Sequence, residues 1–508
     1  MKKSQILRLN FPYDVSTLDP RKNSDYINST AHFMLFEGLT RMTPASTHEH
    51  ALAKAIDLSN NKKVYTFHLK ETFWSDGTPV TAYDFLYAWK TLLDPSFPAP
   101  NAHLFYPIKN AEKVKKGLLP LEELGVKAIA PFTLEVTLEL PTPYFLDLTS
   151  FCPFFPIPSH IALKNPNWAD TLSPLYVTNG PFLLKKWLFH NEYHFVKNPS
   201  YWDAASVHLD QIEIMVIDNE ITALGLFEKN KLDFYGAYSS IPADWVPKLE
   251  RENKLIRQPF GATTFLTFNL AVPPFQNKNI RKALSLAINR QALVDNITQC
   301  GEKVATGAIP PLLKPLSERK FFNDNDLDLA MKHLQLGLNE LGIAKNDLQS
   351  ITLSYPNNVN SRRLSQAIQQ QWKSVLDISV KLEESEFKVS REKLIHKDYQ
   401  VAFSSWLVQY NDQMNILDRF KSKTNHYNYP GFENAKYIDL LNQSAYADSP
   451  EERFLILEQA EELITEETPF TPLYHWNCVY LKQDRLHGLY ISPIGSIHLN
   501  YITLDEAP

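Results

Sequence analysis

The side chains best suited to chemistry here are carboxylates, histidines and thiols, and their spacing organises little of it. Glu383-Glu384-Ser385-Glu386 has the acid density of a glycosidase site, but a run of like charges is ordinarily a solvated face. His48-Glu49-His50 invites a metal reading, and a solvated loop is the stronger expectation. Cys152, Cys300 and Cys478 form no CxxC pair, and three cysteines leave at least one thiol unpaired, so cysteine usage does not fix the redox compartment. With only 15 glycines in 508 residues, neither GxGxxG nor GxxxxGK[ST] occurs, and a phosphate-cradling loop has no support. GxSxG and HExxH are absent too. The expectation is a protein without cofactor, without metal and without catalytic residues, with a hydrolase as the remote alternative.

The elements that must position any site are legible in outline. Val64–Leu69, Phe132–Leu138 and Ile212–Ile217 alternate apolar and polar residues with period two, which predicts half-buried strands. Thr81 and Asp84 can cap a helix whose Phe85, Ala88, Trp89 and Leu92 share one face. Ile280, Ala283, Leu284, Ala287 and Ile288 mark a second helix. A third starts at Ser449, with Pro450 at its first position, Glu452 three beyond the cap and an apolar stripe of Ile456, Leu457, Ala460, Leu463 and Ile464. The class is mixed α/β. Proline-rich loops at 94–100 and 271–275 read as rigid connections, the second as a lobe boundary.

At 508 residues the chain is too long for one core and should form two to four domains. A net charge of −6 without basic runs argues against nucleic acid as a partner. No apolar run reaches the 18 residues of a membrane span. Met1-Lys2-Lys3-Ser4 is followed by the alternating Gln5–Asn10 instead of an apolar signal core, so the chain is read as a mature form whose export signal is absent.

Trp74-Ser75-Asp76-Gly77-Thr78-Pro79-Val80-Thr81-Ala82-Tyr83-Asp84-Phe85, followed by Trp89 and Asp94-Pro95, resembles the signature region of the family 5 extracellular solute-binding proteins, the peptide receptors of ABC permeases. The resemblance runs in order through Leu18-Asp19-Pro20, Phe36-Glu37-Gly38-Leu39, Val177-Thr178-Asn179-Gly180, Asn198-Pro199-Ser200-Tyr201-Trp202-Asp203 and the segment from Ile280 to Arg290. It implies a two-lobed periplasmic-binding-protein-like fold of type II with three subdomains, a hinge and an interlobe ligand cleft. Lobe I would comprise 1–42, 161–268 and 480–508, with 43–160 as a family-specific subdomain attached to it, and lobe II would comprise 269–479. The implied function is capture of short oligopeptides and delivery to permease subunits in the membrane. The implied place is the periplasm or the outer face of the bacterial cytoplasmic membrane, with or without a lipid anchor. A monomer is implied.

The resemblance also implies where a peptide sits, its backbone pairing with protein backbone as an added strand while pockets accept varied side chains. On lobe I, Ser24, Asp25 and Tyr26, then Asn101, then Tyr238, Ser239 and Ser240 match contact segments. On lobe II, Phe403, Ser404, Ser405, Trp406, Leu407, Gln409 and Asp412 lie on the strand and turn that hold the peptide backbone and its amino end, with Trp406 the foremost site residue. Phe387 matches a pocket tryptophan, and Tyr474, His475 and Trp476 match an aromatic cleft segment.

Two positions depart from the family pattern. Gln409 stands where oligopeptide receptors carry an aspartate for the ligand's ammonium, and a neutral amide does not balance a buried cation. Asp412 or Asp25 is the expected replacement. Phe403 stands where an arginine meets the ligand's carboxylate, leaving Arg362 and Arg363 as the preferred substitutes, with Lys314 and Arg319 behind them. Ala262 and Leu407 occupy the positions of a cysteine pair in some relatives, so no disulfide is expected there. The altered clamps leave open a modified peptide such as glutathione or a cell-wall fragment, or a metal chelate or haem, on the same scaffold.

Overall fold

The computed structural model describes residues 4–44, 47–237, 241–492 and 495–505. The chain forms two compact units, one of residues 1–256 with 479–508 and one of residues 257–478. The proline loop at 271–275 therefore does not mark the boundary that its composition suggests; it lies inside the second unit. The chain instead changes unit within two long strands, Ile256–Phe268 and Phe470–Lys482, the first of which continues through Pro259 and Gly261.

The first unit holds two four-stranded sheets. In one, β1 (Ile6–Phe11) lies parallel to a strand that comes late in the unit; in the other, β2 (Ala53–Leu58), β3 (Val64–Leu69), β4 (Val126–Ala130) and β5 (Thr133–Thr137) run in the spatial order β2-β3-β5-β4, all antiparallel. β6 (Phe182–Leu188), β7 (Glu192–Lys197) and β8 (Gln211–Val216) complete the first sheet in the order β1-β8-β7-β6. The period-two pattern of β3 puts Tyr65, Phe67 and Leu69 inside. Helix α1 (Tyr26–Leu35) starts where the Asp25 carboxylate accepts the Asn28 N–H at 2.9 Å. Helix α2 (Ala82–Leu93) starts where Asp84 reaches back to the Thr81 N–H at 2.8 Å, and Phe85, Ala88, Trp89 and Leu92 are all buried. His48-Glu49-His50 is a short strand paired with Thr40–Met42, not a loop, because His48 and Glu49 are tied to Asp147 and Arg41.

The second unit is built on one sheet in the order β13-β9-β12-β10-β11, with β9 (Ile256–Phe268), β10 (Thr352–Pro356), β11 (Lys381–Ser385), β12 (Val401–Leu407) and β13 (Phe470–Lys482). β9 and β12 are antiparallel, while β10 lies parallel to both β12 and β11. Helices α3 (Lys278–Leu286), α4 (Leu327–Leu341), α5 (Val359–Leu376) and α6 (Phe387–His396) accompany it. Ile280, Ala283, Leu284, Ile368 and Trp372 join Leu266, Phe268 and Leu353 of the sheet in one core. Helices α7 (Ala435–Ser444) and α8 (Pro450–Glu467) follow, the latter capped as its sequence predicts, by Ser449 Oγ accepting the Glu452 N–H at 3.1 Å. Among the described residues no helix is long and apolar enough to cross a membrane.

Arg290 ties this unit together. Its side chain is fully buried, and it donates to the Pro472 carbonyl (2.6 Å), the Ser285 carbonyl (3.1 Å), Thr471 Oγ1 (2.6 Å) and Asp324 (3.1 Å). Removing it strands several buried acceptors and one carboxylate. Arg290→Leu should cost about 3–5 kcal/mol, read as a lowered urea midpoint at unchanged m-value.

Candidate functional site

The segment from Phe403 to Asp412 begins as strand β12, and its register with β9 sorts its side chains onto two faces. Thr263 stands opposite Trp406, Thr264 opposite Ser405, Phe265 opposite Ser404 and Leu266 opposite Phe403. On one face the Trp406 ring sits 3.6 Å from that of Phe265, 4.8 Å from Phe420 and 5.0 Å from Phe470, at 1% exposure. Trp406 is therefore core, and the expectation that its indole lines a binding surface is corrected: four rings that pack against one another leave no face for a ligand. Its Nε1 has no partner among the described residues.

The opposite face is the open one. Ser405 is exposed, and its Oγ lies 3.0 Å from Thr264 Oγ1, which also accepts the Trp476 Nε1–H at 2.7 Å. Trp476 is half-buried and stacks on Phe260 at 6.1 Å. Phe403, also on this side, enters the core with Tyr474. Thr264 and Phe260 were not singled out from the sequence; strand register is what brings them to Ser405 and Trp476.

The edges of β12 differ. On one side it pairs with β9 from Val401 to Leu407, whereas on the other it pairs with β10 only at Val401 and Ala402. From Phe403 onward that outer edge meets no strand among the described residues. At its end the Leu407 carbonyl accepts from Arg419 at 3.1 Å.

Most of the charges expected to anchor a ligand are engaged elsewhere. Asp412 receives Arg453 in a two-pronged pair at 2.7 and 2.8 Å and also accepts the Met414 N–H at 2.8 Å, so it is not the spare carboxylate that Gln409 calls for. Asp25 accepts from the Asn28 N–H at 2.9 Å and from its Nδ2 at 2.7 Å, and burial raises its pKa. Arg362 is paired with Glu384, Lys314 is buried against Glu461 at 3.0 Å, and Arg319 pairs with Glu458 and Glu462. Arg363 is exposed on α5. Gln409 and Leu407 are half-buried, as is Ser404. Phe387, at the start of α6, is 66% exposed.

His475 is buried with Nδ1 2.8 Å from Thr263 Oγ1, and burial lowers its pKa to about 3; burial likewise raises the Tyr474 phenol. In the first unit Ser24 is exposed, Tyr26 opens α1, and Asn101 is buried with Nδ2 donating to the Asn23 carbonyl at 2.9 Å. Tyr238, Ser239 and Ser240 lie outside the described residues. Ala262 and Leu407 face each other across β9 and β12, and Cys152, Cys300 and Cys478 are unpaired.

The family model described as "Bacterial extracellular solute-binding proteins, family 5 Middle" matches residues 47–428. The chain belongs to this family. It is 35% identical to the oligopeptide-binding protein OppA of Bacillus subtilis (strain 168), over 98% of this chain and 92% of that one. It is 32% identical to the dipeptide-binding protein DppE of the same organism, over 98% and 91%. A solved structure of Listeria monocytogenes OppA bound to peptide matches with a TM-score of 0.82 at 30% identity, covering 100% of both chains. The mixed α/β architecture is that of the periplasmic binding proteins, as the sequence resemblance implies.

Two measurements check the geometry. Asp412→Asn breaks the charge pair with a largely buried Arg453 and should cost about 2 kcal/mol or more, read by urea unfolding. His475 gives a pH signature: below 6.5 the unfolded chain takes a proton at this imidazole that the folded chain refuses until about 3. Its contribution is complete above pH 6.5 and shrinks as pH falls toward 3. His475→Gln should make the loss of stability between pH 7 and pH 5 smaller than in the parent.

Proposed function

We propose that this chain is the substrate-binding component of an ABC transporter, taking up short peptides outside the cytoplasmic membrane and handing them to permease subunits. The observation that carries the reading is the outer edge of β12, where backbone donors and acceptors from Phe403 onward have no strand partner among the described residues. An extended peptide completes such an edge through main-chain hydrogen bonds, which give affinity without reading side chains. Ser405, Thr264 and Trp476 supply neutral polar groups on the open face of the same strands. The named relatives, an oligopeptide-binding and a dipeptide-binding protein and a receptor solved with peptide bound, support the substrate class.

The contribution of Ser24, Asp25, Tyr26, Asn101 and Tyr238–Ser240 from the first unit, and the three-subdomain boundaries, belong to the same proposal. So does a closed state that ligand favours, the basis of transporter recognition. The protein performs no chemistry on its ligand.

A second reading, a peptide with modified or differently placed ends, is favoured by one feature: Gln409 and Phe403 replace both terminal charge clamps, and Asp412 and Arg362 already have protein partners.

Denaturing the purified protein and identifying released molecules by mass spectrometry tests the proposal. Peptides of mixed sequence are expected; one defined compound would make this a dedicated receptor instead. Added peptide at a hundred times its Kd should stabilise the protein by about 2.7 kcal/mol, without turnover. Asp412→Asn should change affinity for free-amine and N-acetylated forms of a peptide by the same factor; a selective loss of the free amine would return Asp412 to the ligand site.

A further inference from the structure

A cavity of about 670 Å³ opens in the helical part of the second unit, among α3, the 321–326 loop, α4, α7, α8 and the start of β13. Its lining residues run from Lys282 to Pro472, so it belongs to that unit alone. The volume is that of a small-molecule site. None of the strand residues argued above to receive a peptide lines it.

One part of the wall is apolar, made by Leu286, Phe321, Phe322, Leu440, Leu463 and Phe470. The acids that line the rest are spent. Glu466 takes Lys282 at 2.6 Å and Lys278 at 3.1 Å, Glu462 is held by Arg319, and Asp326 caps α4 by accepting the Leu329 N–H at 3.2 Å. Lys436, exposed in the first turn of α7, has no ion-pair or hydrogen-bond partner among the described residues.

His333 adds a second uncommitted group. Its Nδ1 lies 2.7 Å from Asn279 Oδ1, and Asn279 Nδ2 donates to both Glu340 oxygens at 2.9 and 3.0 Å. That second contact fixes the amide, so the imidazole Nδ1 carries the hydrogen and Nε2 is left without a partner among the described residues. Burial lowers the His333 pKa, and Lys282, Lys332 and Lys278 push it the same way against Glu466, so the ring is neutral and its Nε2 is a hydrogen-bond acceptor.

We propose that this cavity is a second ligand site, taking a small amphipathic anion whose hydrocarbon body lies on the apolar wall and whose carboxylate is balanced by Lys436. The site is independent of the peptide reading. Acyl and aromatic acids share this chemistry, and the test separates them.

Decanoate, 2-naphthoate and decyltrimethylammonium are titrated into the full chain by calorimetry. Saturable one-to-one binding of decanoate, of naphthoate or of both is expected, and the pattern names the hydrocarbon body the wall accepts. The cation should bind at least about tenfold more weakly, and Lys436→Glu should weaken the anion by about tenfold, with Lys436→Arg retaining it. A carboxylate in the first turn of α7 suits the helix dipole, so Lys436→Glu keeps its fold, as circular dichroism checks. Bound anion should raise the His333 pKa, followed by NMR of its ring protons. Saturating peptide should not displace the anion. The proposal is overturned if neither anion binds saturably, if the cation binds as well, if Lys436→Glu leaves affinity unchanged, or if peptide displaces the anion.

Discussion

An ion taken out of water costs several kcal/mol unless a counter-charge or a full set of dipoles receives it, and the second unit is organised by that requirement. Arg290 meets it with two carbonyls, a hydroxyl and Asp324, and in doing so fastens the end of α3 to the first residues of β13. Arg281 meets it without an acid, donating to the carbonyls of Glu467 and Thr468 at the end of α8 and to that of Phe275. There the guanidinium also suits the negative end of the helix. Lys314 and Glu461 neutralise each other, and Glu461 receives the Ile309 N–H as well. Each desolvated charge is thus a joint between segments far apart in sequence.

The same accounting shapes recognition. Of the charges that the sequence offers as ligand anchors, Asp412, Lys314, Arg319 and Arg362 are committed to protein partners, while Arg363 stands exposed on α5. Using a committed charge for a ligand would first require breaking a pair, and a partly buried partner left behind carries the larger penalty. What remains at β12 is backbone, hydroxyl and amide. A neutral surface of that kind binds main chain and tolerates different side chains, which suits a receptor for peptides of many sequences better than one for a single charged solute.

Local signals were legible where the physics is local. Asp84 and Ser449 mark helix starts because a short side-chain oxygen reaches an N–H three residues away, backward from Asp84 to Thr81 and forward from Ser449 to Glu452, and that needs no tertiary information. The face of α2 with Phe85, Trp89 and Leu92 follows from its period. Trp406 was misread because period two says only that neighbours point to opposite faces; which face is core depends on Phe265, Phe420 and Phe470, brought in by other segments. Asp412 was misread for the same reason, its partner Arg453 lying on α8. The proline loop at 271–275 suggests a boundary that the chain crosses earlier, inside β9, whereas the other expected crossing, after 479, falls within one residue of the change of unit in β13.

Proline has its consequence at a different place. β10 follows β12 in parallel through Leu353 and Ser354, then reaches Tyr355 and Pro356, which remain paired with β11 at Glu384 and Ser385 but no longer with β12. Pro356 has no N–H to give, so the ladder toward β12 cannot continue through it. An unpaired edge left inside a sheet would ordinarily invite aggregation. Here it starts at Phe403, the residue at which the segment proposed to receive a peptide begins, with Ser405 and Thr264 on one face and the Trp406 ring cluster on the other. The proline that ends one pairing therefore leaves an edge for another, which is the pairing the proposed function assigns to a peptide.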